Sequence, residues 1–303
     1  LGPILRKGRR PETQVKERVN YIGGSDAAAI VGLSRWSSPL EVWSKKTGLL
    51  PEVELDSEAV LLGQELEDYV SRRFARLQKK KVRRVNETIY HPKYPFIAAH
   101  IDRRIVGEKA ILEAKTTSAW RAKEWEGEDL PAEYVIQAMH YLAVTGADVC
   151  WVACLIGNQE FVVKDVWRDE KTLTDLVNRE VNFWERFVVP KIMPEVKYRD
   201  KDILTGLFPQ AETGKEIALG TNAHAICDLL EGMETDYKGL GRQIDEQKNK
   251  LRAMLKDADV GIAGVWKIRW KNVNASEFVV KRKASRKLTI KKKVEDQDNG
   301  ETV

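Results

Sequence analysis

The stretch AILEAKTTS, residues 110–118, constrains this chain more than any other. Its composition suits a strand, and successive side chains of a strand point to opposite faces. Glu113 and Lys115 therefore share one face with Ile111, while Leu112, Ala114 and Thr116 take the other. A carboxylate beside an ammonium on a largely apolar strand leaves two readings. One is an edge strand with a solvated charge pair, the other a metal-dependent active site. Eleven positions before Glu113, the run FIAAHIDRRIV puts Asp102 in or beside a preceding strand. A tight hairpin through VGEK, residues 106–109, brings the two strands side by side. Asp102 and Glu113 could then hold one divalent cation, with the Ala114 carbonyl as a further ligand of the kind Mg²⁺ accepts. Lys115 would orient an attacking water or stabilise charge developing on a phosphodiester. The D-x(n)-ExK pattern alone is common by chance.

The surrounding periodicities predict a mixed α/β core. Two short helices come first, one in GGSDAAAIVGL and one in SPLEVWSKKTG with Ser38 as N-cap, Pro39 at N1 and Gly48 closing it. A longer helix over 57–80 carries an apolar stripe of Leu62, Leu66, Tyr69, Val70, Phe74 and Leu77. Glu67 sits at the edge of that stripe, four residues after Gly63. Strand-like segments follow near 88–91, 96–105 and 109–117. A helix then starts at Pro131 and is capped by Gly146, with Gln137 and Tyr141 at i and i+4 on one face. VCWVACLI and QEFVVKDV flank a Gly157-Asn158 turn, a hairpin signal, and a helix over 170–188 closes the core. The expected organisation is a basic tail over 1–14, whose first residues need not be native, a core over 15–195, a linker over 196–215 and an extension over 216–303. That extension reads as a long polar helix over 222–257, breakable at Gly232 or KGLG, with Ile226, Leu229, Leu230, Met233, Tyr237, Leu240 and Ile244 as its apolar seam. Strand-like GVWKIRWK, EFVVKRK and RKLTIKK end the chain.

Composition narrows the function classes only partly. With 51 basic against 46 acidic residues the net charge is +5, a modest excess, but RLQKKKVRR (76–84) and KRKASRKLTIKKK (281–293) concentrate it. Two such runs favour phosphate contacts over a merely solvated surface. Three cysteines, Cys150, Cys154 and Cys227, are too few for a disulfide framework and fit a reducing compartment, with the first two as buried thiols. No apolar run approaches the ~20 residues needed to cross a bilayer. The basic amino end lacks the apolar stretch of a signal peptide. The absence of GxxxxGK[ST] argues against an ATP-driven motor. His100 is expected to be a core or hydrogen-bonded residue. Trp36, Trp43, Trp120 and Trp125 are expected to serve core or interface packing.

Taken in order, Gly63-x-x-x-Glu67, Ile101-Asp102, Glu113-Ala114-Lys115 and Gln137-x-x-x-Tyr141 resemble the PD-(D/E)xK nuclease superfamily. More narrowly, with YIGGSDAAAIVGLSRWSSPLEVWSKKTG at the start and QAMHYLAVTGAD later, the chain resembles the YqaJ-type viral recombinases of the phage exonuclease branch, over about residues 15 to 195. The resemblance implies a restriction-endonuclease-like core, a central mixed sheet flanked by helices. It implies Asp102, Glu113, the Ala114 carbonyl and, through water, Glu67 as the metal site, holding Mg²⁺ (Mn²⁺ substituting) as two ions. Lys115 would be the catalytic lysine and Gln137 its neighbour, with Tyr141 packed behind. Arg18, Ser25, Arg35 and Tyr141 would contact DNA, Arg18 receiving a 5′ phosphate. Position 101 is isoleucine where the family's pattern has proline. The implied activity is digestion of linear duplex DNA from an end, 5′ to 3′, in phage-type recombination by strand annealing. A single-strand annealing protein, a ring-shaped homo-oligomer such as a trimer and a bacterial cytoplasm are implied with it, and the extension over 216–303 would serve oligomerisation or bind DNA or a partner. The alternatives are an endonuclease on the same core, or a DNA-binding assembly protein with a vestigial site. Three cysteines outside these motifs do not match the iron–sulfur cluster of some related nucleases.

Overall fold

In the computed structural model, residues 18–51, 57–273, 288 and 290 are described. The amino-terminal tail, EFVVKRK and most of RKLTIKK and of the second basic stretch lie outside them. The chain divides into two compact units, Leu1–Phe208 and Pro209–Val303.

The first unit opens with a 3₁₀ turn (Arg18–Asn20) and helices α1 (Gly24–Ile30), α2 (Pro39–Lys46) and α3 (Glu58–Leu77). Ser38 caps α2 by accepting from the Glu41 amide at 3.1 Å, and Pro39 opens the helix, where its missing N–H costs nothing. Strands β1 (Val82–Arg84), β4 (Arg103–Ile105), β5 (Ala110–Thr117), β6 (Val149–Ile156) and β7 (Glu160–Trp167) form one sheet in the order β1-β4-β5-β6-β7. A small ribbon pairs β2 (Ile89–Tyr90) with β3 (Ala98–Ala99). The β5–β6 pair alone is parallel; the others in the five-stranded sheet are antiparallel. The crossover between β5 and β6 contains a 3₁₀ segment (Ala119–Trp125) and α4 (Ala132–Thr145), which ends on Gly146 at φ 68°. Helix α5 (Glu170–Phe183) follows β7 and passes into a π turn (Trp184–Val188), short of the single α-helix expected over 170–188.

The sheet separates two apolar layers, as strand alternation requires. Ile111, Cys150, Val152 and Cys154 pack with Leu142, Val144, Leu173 and Leu176 on one side. Leu112, Ala110, Val149 and Ala153 pack with Val70 and Phe74 of α3 on the other. Both buried cysteines are structural, and burial pushes the Cys154 thiol up to about 12. A third cluster joins Leu40, Val42 and Trp43 to Phe183 and Val188.

Three expectations need correction, and that for the tryptophans divides. The stripe on α3 is narrower than its periodicity, because only Val70, Ser71 and Phe74 are buried while Leu62, Tyr69 and Leu77 are exposed. The helix meets the sheet along one line, and among the described residues nothing covers the apolar groups off that line. The stretch expected as a linker over 196–215 instead begins inside the first unit. There α6 (Lys201–Leu207) lays Ile203, Leu204 and Leu207 on the third cluster, and buried Asp200 accepts from the Ser38 hydroxyl. Of the four tryptophans, Trp43 and Trp125 are core, but Trp36 and Trp120 are exposed. In the second unit, α7 (Thr221–Leu255) is continuous through all three glycines, and its seam is exposed rather than packed. Strands β8 (Val260–Ala263) and β9 (Trp266–Arg269) form a hairpin after it, β8 having no alternating signal to announce it.

Candidate active site

Antiparallel pairing of β4 with β5 sets Arg103 opposite Leu112, so the next step of that register sets Asp102 across from Glu113. The hairpin between them turns at Gly107, whose φ of 84° suits only glycine without strain. Asp102 Oδ2 accepts from the Ala114 amide at 2.7 Å. Glu113 Oε1 accepts from Lys115 Nζ at 2.6 Å and from Gln137 Nε2 at 3.0 Å, and Gln137 Nε2 also donates to the Tyr141 hydroxyl at 2.8 Å. Two residues of one strand, one residue before its neighbour and one helix face thus meet at a single point.

The electrostatics of that point are acidic. Burial, then the carboxylates of Glu113 and Glu67, holds the Asp102 carboxyl well above the usual range, against the Ala114 amide and Lys115. Burial works against charge on Lys115, yet the adjacent Glu113 carboxylate raises its ammonium above the ordinary value. The Lys115 Nζ also lies 5.2 Å from the Tyr134 ring centroid. Glu113 Oε2 is buried and, among the described residues, has no hydrogen-bond partner. A buried anionic oxygen with no donor is costly unless a cation serves it. The donor set therefore fits a hard divalent cation held by Asp102, Glu113 and backbone carbonyl, with water completing the shell. Among the described residues no three Asp, Glu, His or Cys side chains are grouped to hold a metal by themselves. Glu67 gives one oxygen to Arg103 Nη1 at 2.5 Å, and Arg103 also donates to the Asp102 carbonyl at 2.7 Å.

Helix α1 closes the site from the other side. A Cβ on Gly24 would lie 2.6 Å from Tyr141 Cε1 and 3.0 Å from Gln137 Cγ, so only glycine lets α1 approach α4 this closely. Ser25, the next residue, accepts from Arg18 Nη2 at 3.2 Å. Asp26 takes the Gly23 amide at 2.9 Å and buried Lys46 at 2.7 Å; although burial opposes it, Lys46 and then Arg18 hold its carboxyl below the ordinary range. Tyr141, Gln137, Glu113 and Lys115 therefore form one run of hydrogen bonds, Asp102 joins it through the Ala114 amide, and the Arg18–Ser25 pair stands beside Gly24, which packs on Tyr141. Arg35 stands outside it, its guanidinium paired with Glu124 at 2.8 Å and Glu133 at 2.7 Å. His100 bonds to the Tyr21 hydroxyl at 2.5 Å, as expected of a packed histidine.

Sequence reasoning missed Arg103, Tyr134 and the Asp26–Lys46 pair. The signal for Tyr134 was present, since it precedes Gln137 by three residues and shares its helix face. Arg103 left none, because a basic residue following Asp102 looks solvated until the fold buries it. A Gly24→Ala variant is expected to push α1 off α4, costing about 1–3 kcal/mol as overpacking does. Thermal unfolding would measure it, and a wild-type midpoint would mean that the close approach is dispensable.

A mixed sheet carrying these carboxylates and a lysine at adjacent strand positions, with helices on both faces, is the PD-(D/E)xK nuclease fold. The alkaline exonuclease LHK-Exo from Laribacter hongkongensis shares it, at TM-score 0.52 and 18% identity over 60% of this chain and 94% of that one. The same enzyme in complex with dAMP superposes at TM-score 0.52, covering 64% of this chain and 99% of that one. The profile of the YqaJ-like viral recombinase domain matches residues 14–148. The uncharacterized protein YqaJ of Bacillus subtilis (strain 168) is 38% identical over 271 residues, 88% of this chain and 85% of that protein. The chain belongs to the YqaJ-like viral recombinase family. Among the described residues no helix is long and apolar enough to cross a membrane.

Proposed function

We propose that the chain is a divalent-metal-dependent exonuclease acting on ends of linear duplex DNA. The observation that carries this reading is the buried, unpartnered Glu113 Oε2 beside Asp102, with Lys115 on the other oxygen of the same carboxylate. Asp102, Glu113 and the Ala114 carbonyl would hold Mg²⁺, or Mn²⁺ in its place, and a second ion would draw on Glu67 through water. When bound, the metal would polarise the scissile phosphodiester and lower the pKa of its water. Lys115, held charged by Glu113, positions a donor toward the phosphate oxygen on which negative charge develops. Gln137 fixes the unused side of Glu113 Oε1 and is itself fixed by Tyr141 and the close approach of Gly24.

The pairing of Arg18 with Ser25 at the start of α1 suits a terminal phosphate, since a guanidinium and a hydroxyl together donate several hydrogen bonds to it. That supports 5′ to 3′ digestion. The exonuclease identity of LHK-Exo and the viral recombinase domain support a role in recombination by strand annealing, with an annealing protein as partner. The exposed face of residues 76–84 and the paired Arg35 are the remaining DNA-contacting candidates.

The test uses linear and covalently closed circular duplex DNA, with Mg²⁺ or with a chelator. Loss of the linear DNA alone, and only with metal, is the expected result. Cutting of the circle would replace the exonuclease with an endonuclease on the same core, and cleavage in chelator would remove the metal from the mechanism.

A further inference from the structure

Helix α7 holds 35 residues, about 50 Å of helix, and apolar side chains recur along one side of it, broken only by Gln247. From Ile226 the steps alternate four and three: Leu230, Met233, Tyr237, Leu240, Ile244, then Gln247, Leu251 and Met254. That is the seam of a coiled coil sustained over four heptads, with Leu230, Tyr237, Ile244 and Leu251 at a and the others at d. Among the described residues nothing covers it: Ile226, Met233, Tyr237, Leu240, Ile244, Leu251 and Met254 are 40% to 77% exposed. Gly232, Gly239 and Gly241 lie in open space inside the helix, and each weakens a helix that stands alone. Helices of this kind draw their stability from a packed face rather than from propensity.

The flanking e and g positions say what packs there. Glu234 and Asp236 lie in the amino-terminal half, Lys248 and Lys250 in the carboxyl-terminal half. A parallel copy would bring the acidic band beside the acidic band and the basic beside the basic. An antiparallel copy reverses this. Turned about residue 242, it stacks Leu230 on Met254, Met233 on Leu251, Tyr237 on Gln247 and Leu240 on Ile244, an a-to-d match at every layer. The same rotation sets Glu234 against Lys248 and Asp236 against Lys250 of the second copy. In the single chain Lys250 reaches Glu246 at 2.8 Å and Lys248 reaches Asp245 at 3.6 Å, exposed contacts of little worth that leave both lysines available. Gly241 meets itself near the centre, where a missing side chain lets the helices close.

We propose that α7 pairs antiparallel with α7 of a second copy of this chain, in register about residue 242. The pairing does not depend on the nuclease reading, because its test is read without DNA or metal.

In the full-length chain, Cys227→Ser with Gln243→Cys puts the introduced cysteine on the g flank beside its own copy in the antiparallel pair. In a parallel pair the two 243 positions lie on opposite flanks. Mild oxidation should give a disulfide-linked dimer, while wild-type Cys227, facing the far end of the other helix, should not cross-link to itself. Glu234→Lys with Asp236→Lys should weaken self-association by about tenfold or more in sedimentation equilibrium, from four lost pairs and new repulsion. Adding Lys248→Glu and Lys250→Glu to the same chain should restore it. Failure of the cross-link together with indifference to the charge changes would overturn the proposal and leave the seam to a different protein. Cross-linking through wild-type Cys227 would overturn the orientation.

Discussion

Asp102→Asn is expected to abolish cleavage of linear DNA while leaving the protein folded and able to bind it. The asparagine keeps an oxygen to accept from the Ala114 amide, which Asp102 Oδ2 does at 2.7 Å, so the β4–β5 junction survives. What it removes is the negative charge that, with Glu113, makes the donor set suit a hard cation. Loss of several kcal/mol of transition-state stabilisation corresponds to about 10³-fold or more in kcat/KM. Asp102→Ala should be equally inactive but less stable by about 1–3 kcal/mol, because the Ala114 amide loses its partner. Comparing the two separates charge from hydrogen bond. Wild-type cleavage rates in Asp102→Asn would sink the site assignment.

The second large effect concerns stability. His140 and Glu180 are both buried, and His140 Nδ1 donates to Glu180 Oε1 at 2.8 Å while Nε2 donates to the Ala98 carbonyl at 3.0 Å. The Ala98 carbonyl can only accept, so Nε2 carries a proton, and with Glu180 as a carboxylate Nδ1 carries the second and the ring is an imidazolium. Burial alone would lower the His140 pKa, but the Glu180 carboxylate and the two hydrogen bonds raise it above the ordinary value. Since the folded pKa is the higher one, this contribution is fully present below the unfolded pKa of about 6.5 and is lost as pH rises through the folded value. Glu180→Ala strands a buried cation and should cost about 3–5 kcal/mol. Glu180→Gln should cost less and flatten the loss of stability with rising pH. Thermal midpoints followed across that window would check both, and an unchanged pH slope in Glu180→Gln would mean that His140 is neutral. The pair matters to the site because it ties α4, which carries Gln137 and Tyr141, to α5 and to β3.

Local pattern made much of this legible. The alternation in AILEAKTTS set Glu113 and Lys115 on one face, the VGEK turn set Asp102 beside them, and helical spacing put Gln137 with Tyr141. These are short-range rules, in which covalent geometry fixes direction. Where distant segments had to meet, pattern fell short. The stripe on α3 was read too wide because periodicity says which face is apolar, not how far a neighbour reaches along it. The segment after Pro194 read as a linker because Ile203, Leu204 and Leu207 have no partner until Leu40 and Trp43 are folded beside them.

The sequence by itself therefore determined the acidic pair with its lysine, the succession β5, α4, β6, β7 and α5, and the seam of α7, each fixed by the backbone's own periods of 2 and 3.6. Tertiary structure alone decided that Glu113 Oε2 would be buried without a donor, that Gly24 would press α1 onto Tyr141, that Arg103 would take Glu67, and that Arg35 would be neutralised by Glu124 and Glu133. Those outcomes depend on burial and on distances between residues far apart in the chain. A charge acquires its chemistry from what surrounds it, and only packing supplies the surroundings.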